Sequence, residues 1–141
     1  MSFHEKSRWI ALGANLLVWG WYFITILTAV DNGYPDEPYL FGLLVGVIVA
    51  MIVIHVVGHT VVALLKPSEA RTELDERERA IENRASARAY EILSFGLVIA
   101  LGAALYEWNT FVAINGVLFA FILAESVRYV LEIRAYRRGL A

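Results

Sequence analysis

The chain has 141 residues, 59% of them hydrophobic and 18% charged, and its mean hydropathy of +0.59 puts it outside the usual range of soluble domains. It has no cysteine, which excludes disulfide frameworks, thiol redox catalysis and thiolate metal centres. A formal net charge of -2 carries no nucleic-acid signal.

The first apolar stretch, Trp9 to Val30, is free of charge and follows a basic start at Lys6 and Arg8. It is too long for a signal-peptide core and ends on no small-residue cleavage pattern, so it reads as a retained span. Ser2 and Glu5 in "SFHE" form a capping-box pattern that starts the helix ahead of the membrane. Asn32, Gly33 and Pro35 end it. The second stretch, Tyr39 to Leu65, is also free of charge and holds only His55 and His59 as ionisable groups. Pro38 suits its first turn and Pro67 its end.

The insert "ELDERERAIENRASARAYE" follows, and no Gly or Pro interrupts the chain until Gly96. Thr72 to Tyr106 is therefore expected as one helix, solvated in its first half and spanning in its second. Asn109 and Thr110 turn the chain into Thr110 to Leu131, broken only by Glu125 and Arg128. A span needs about 20 apolar residues. The first two stretches meet this alone, the third by borrowing 84–91, and the fourth by tolerating Glu125 and Arg128. The expected fold is an all-α integral membrane four-helix bundle, a single polytopic domain over 1–141. Its spans fall near 9–30, 39–65, 88–106 and 110–131, with a cytosolic helical insert over 68–91.

Lysine and arginine set the orientation. Lys6 and Arg8 precede span one. Lys66, Arg71, Arg77, Arg79, Arg84 and Arg88 lie between spans two and three, and Arg128, Arg134, Arg137 and Arg138 lie at or past the end of span four. The other two connections hold none. Both termini and the insert are thus expected in the cytoplasm. Tyr34, Tyr39, Tyr106 and Trp108 mark the outer interface, and Trp9, Tyr129 and Tyr136 the inner one.

Within the insert, Glu73 with Arg77 and Asp75 with Arg79 stand at i,i+4, acid first. A thin stripe of Leu74, Ile81, Ala85 and Arg88 near heptad spacing suits packing on the C-terminal segment (Val130, Ile133, Tyr136) or on a second subunit. Arg77, Arg79, Ile81 and Ala85 are the candidate cytosolic contact; a merely solvated extension of span three is the plainer reading.

Counting helix rise inward from the outer ends places His55, Glu125, Glu91 and Asn15 all about 21–24 Å deep in a core about 30 Å thick. His59, Arg88 and Arg128 sit just below. Three readings of this polar layer stay open: interfacial groups that snorkel to the cytosol, a structural network, or a proton, ligand or metal site. "HVVGH" puts His55 and His59 on one helix face as a workable ligand pair for zinc or a similar ion. It lacks the glutamate of a zinc-protease motif. Glu91 or Glu125 would have to complete the site.

Small residues recur every four positions at Gly42, Gly46 and Ala50, at Gly96, Ala100 and Ala104, and at Gly116, Ala120 and Ala124, as close helix contacts require. On helix two this row lies opposite the histidines, which favours a homo-oligomer. Trp19 and Tyr22 share a face with Asn15 as core filler.

The opening "MSFHEKSRWI…WGWYF" and the run "DERERAIENRA" resemble small prokaryotic four-span membrane proteins of a domain-of-unknown-function family (DUF2178-like). The resemblance implies a bacterial or archaeal cytoplasmic (inner) membrane and carries no activity and no functional residues. The leading expectation is a non-catalytic scaffold or regulatory component acting through its cytosolic helix and tail on a protein partner. A transporter or channel-like protein with an ion-coupling polar layer is the main alternative, and a metal-binding membrane enzyme the third.

Overall fold

The computed structural model describes residues 3–31, 33, 35–65, 75–107 and 109–138, and among them every regular element is helical. Four helices follow in order: α1 (Phe3–Val30), α2 (Glu37–Leu65), α3 (Glu76–Glu107) and α4 (Thr110–Arg138). All four are long and apolar enough to cross a membrane. Expectations resting on Ser2, Asn32, Tyr34, Lys66, Pro67, Arg71, Thr72, Glu73, Leu74 and Trp108 lie outside the described residues.

Side chains cap the starts of α2, α3 and α4, and a glycine turn ends α1. α1 stops at a turn in which the Gly33 N–H donates to the Val30 carbonyl at 2.9 Å, with Gly33 at φ 111°. That left-handed conformation favours glycine. Thr25 and Thr28 turn their hydroxyls back onto the carbonyls of Trp21 and Ile24, so neither presents a bare hydroxyl to the surroundings. Asp36 caps α2 by accepting from the Tyr39 N–H at 2.9 Å, and Pro38 sits in the first turn. Asn109 caps α4 by accepting from the Phe111 N–H at 2.9 Å.

The start of α3 differs from the sequence expectation. Asp75 is non-helical and serves as the N-cap: its Oδ1 accepts from the Glu78 N–H at 2.7 Å, and Glu78 Oε2 accepts from the Asp75 N–H at 3.3 Å. This reciprocal capping box fixes the first residue at Glu76, not Thr72. It also gives Asp75 the role of the helix cap.

The chain divides into two compact units, Met1–Thr72 and Glu73–Ala141. The first is the antiparallel hairpin of α1 and α2, the second that of α3 and α4. In the first, α1 buries Ala11, Ala14, Asn15, Trp19, Tyr22 and Ile26, and α2 buries Val47 and Val62. A Cβ added at Gly58 would lie 2.7 Å from Ile10 Cγ2, so the glycine lets α1 seat closely on α2. In the second hairpin a Cβ on Gly96 would meet the Ala120 Cβ at 2.8 Å, and one on Gly116 would meet the Ala100 Cβ at 2.9 Å. These two reciprocal glycine–alanine contacts set the register of α3 against α4. Ile81, Ala85 and Ala89 continue the buried stripe of α3 toward its charged end.

Candidate functional site

The polar groups of the first hairpin gather at its open end. Because Gly58 admits Ile10, the next residue of α2, His59, is brought onto α1, where its Nδ1 lies 3.0 Å from the Ser7 Oγ. Ser7 is buried, and Arg8 is close enough for its charge to act on the His59 ring. One turn further in, the His55 Nδ1–H donates to the Met51 carbonyl at 2.9 Å. A carbonyl only accepts, so Nδ1 carries the proton and Nε2 is the nitrogen left to bind. The two rings stand 5.8 Å apart, tilted at 43°. Asn15 is 4% exposed, and beside it Trp19 and Tyr22 pack edge to face at 5.5 Å.

The second hairpin carries a belt of charge. Arg88 Nη1 donates to Glu91 Oε2 at 2.9 Å, and both side chains are well exposed, at 70% and 63%. Arg128 is set between two carboxylates of its own helix: Nη2 donates to Glu125 Oε2 at 2.6 Å and Nη1 to Glu132 Oε1 at 3.5 Å. Its guanidinium also lies 4.7 Å from the centre of the Tyr129 ring. Glu132 is only 1% exposed. Stepping along the antiparallel pair from the Gly96–Ala120 and Ala100–Gly116 contacts puts Glu91 level with Glu125 and Arg88 level with Arg128.

The expected site residues thus fall into two sets, Asn15, His55 and His59 in one hairpin and Arg88, Glu91, Glu125 and Arg128 in the other. Among the described residues no group of three or more His, Asp and Glu side chains gathers around a metal-sized space. His55 and His59 remain a two-nitrogen pair, with one His59 nitrogen engaged by Ser7.

Gly116 and Ala120 lie in the α3–α4 seam. Gly42 and Gly46 are exposed with nothing near a Cβ position, and Ala50 is half-buried. Ile81 and Ala85 are buried, while Arg77 and Arg79 are exposed. An apolar groove of about 560 Å³ runs along one side of the seam, past Phe95, Gly96 and Phe119, with Glu91 at one end. A smaller groove of about 350 Å³ on the other side holds Ser86, Tyr90, Glu125 and Arg128.

Sequence reading missed Ser7, Gly58 and Glu132. Glu132 stands four residues after Arg128, the signal that would have found it. Ser7 has no such mark, because its partner is 52 residues away. No protein-family model, curated protein or solved structure matches the chain.

Proposed function

We propose that the chain is a multi-pass protein of a prokaryotic cytoplasmic membrane, with both termini and the insert over 68–91 in the cytosol, and that it works as a non-catalytic scaffold. The lysine and arginine distribution supports the orientation. One observation carries the functional reading. The charged half of α3 turns Ile81, Ala85 and Ala89 inward and leaves Arg77, Arg79, Arg84 and Arg88 exposed. A helix secured on one face by its hairpin partner, with Arg77, Arg79, Arg84 and Arg88 interleaved with Asp75, Glu76 and Glu91 on its exposed faces, is a preorganised charged surface for a cytosolic protein partner at the membrane. Self-association is part of the proposal, because Gly42 and Gly46 present a small-residue row with open space in front of it.

The test is charge reversal. Arg77→Glu with Arg79→Glu should dissociate the complex extracted from native membranes, lowering its apparent mass on native gels, while helix content stays unchanged. An unchanged mass rejects the reading. A second reading, ion coupling, draws on the buried Asn15 and the Ser7–His59 bond near His55. It requires proton or ion flux in liposomes that changes in His55→Ala or Glu125→Gln, and unchanged flux in both rejects it.

A further inference from the structure

The register of the second hairpin fixes the length of its apolar part. The belt charges nearest the turn, Glu91 and Glu125, are level with each other, so the uncharged segments are 92–106 on α3 and 110–124 on α4. Each is 15 residues long. At 1.5 Å per residue that is about 22 Å, against a hydrocarbon core of about 30 Å. Tilt cannot close the gap, since tilting shortens the projection further. In the first hairpin Trp9–Val30 alone runs 22 residues, about 33 Å.

The geometry points to phospholipid headgroups of the cytoplasmic leaflet as the partner of this belt: lipid and water are drawn down to the Arg88–Glu91 and Glu125–Arg128 pairs, and the leaflet is thinned around the hairpin. This rests on the membrane reading above. Three observations support it. The four charges lie within one helical turn, the two carboxylates level with each other and the two arginines level with each other about 4.5 Å nearer the charged end, so a single displacement of the leaflet meets all of them. On both helices the carboxylate is on the apolar side and the arginine on the side of the charged end, the order that lets a guanidinium reach lipid phosphates. Finally, the Arg88–Glu91 pair is exposed, so no protein interior shields it. Charged side chains left in hydrocarbon are rare and face water or protein, whereas closing a gap of about 8 Å by deforming the bilayer costs only fractions of a kcal/mol per Å.

The cysteine-free chain suits single-cysteine labelling. Ala87→Cys, Tyr90→Cys, Val98→Cys and Ile52→Cys, all at exposed positions, are reconstituted separately in dioleoylphosphatidylcholine vesicles. A membrane-impermeant maleimide is supplied on both faces. Tyr90→Cys, at the belt, should label as completely as Ala87→Cys. Val98→Cys and Ile52→Cys should stay protected until detergent is added. Adding Arg88→Leu and Glu91→Leu to Tyr90→Cys should abolish its labelling while helix content is retained. Protection of Tyr90→Cys equal to that of Val98→Cys overturns the inference and leaves the membrane reading standing. Labelling of Val98→Cys and Ile52→Cys in intact vesicles overturns both.

Discussion

Arg128 illustrates how a few side chains settle a local balance. It serves Glu125 and the buried Glu132 at once and covers the Tyr129 ring. Removing one partner of a buried ion pair strands charge and costs about 3–5 kcal/mol, whereas an exposed pair contributes about 0–1 kcal/mol. Arg128→Met should therefore lower the unfolding midpoint strongly in a detergent melt, and Arg88→Met on the exposed pair should barely move it. Equal shifts would contradict this ranking. Ser7→Ala should cost about 1 kcal/mol through the lost bond to His59. A double-mutant cycle with His59→Phe checks that figure, because additive effects would show that the bond contributes nothing. Of these groups, the Glu125–Arg128 pair was legible from its i,i+3 spacing. The Ser7–His59 bond was not, because it depends on hairpin register, and register depends on one glycine, Gly58, whose small size matters only when Ile10 lies opposite.

At the scale of the helix, the same dependence on opposing surfaces decides which small-residue rows form contacts. Gly96 and Gly116 each face an alanine at contact distance, while Gly42 and Gly46 face open space. Gly116→Leu should therefore separate α3 from α4, with a destabilisation of about 1–3 kcal/mol from overpacking. The paired exchange Gly96→Ala with Ala120→Gly should recover much of what Gly96→Ala alone loses, measured by thermal unfolding. Gly42→Ala with Gly46→Ala should leave the hairpin intact or strengthen it, since alanine is the better helix former by about 1 kcal/mol per residue. If that double variant instead changes the mass of the detergent-solubilised particle, the row is an intermolecular seam. The sequence displayed all of these rows equally, because spacing shows which residues share a face and not what lies opposite. The first two helices were legible because long charge-free runs ended beside Asp31, Asn32 and Gly33 or beside Pro67. α3 begins at Glu76, four residues after the expected Thr72, because the reciprocal bonds of Asp75 and Glu78 cap it there.

At the scale of the whole chain, four apolar helices are joined by connections that alternate between arginine-free and arginine-rich, and α3 carries a charged arm. The scaffold proposal requires that arm to be cytosolic, on the side where the positive charges accumulate. Reporter fusions test this most directly. Alkaline phosphatase inserted after Asp36 should be active, showing that the first connection crosses the membrane. Green fluorescent protein fused after Arg138, or inserted before Glu76, should fluoresce, showing both sites in the cytosol. A dark fusion at either cytosolic site together with an inactive phosphatase at Asp36 would contradict the orientation, and the proposed function with it.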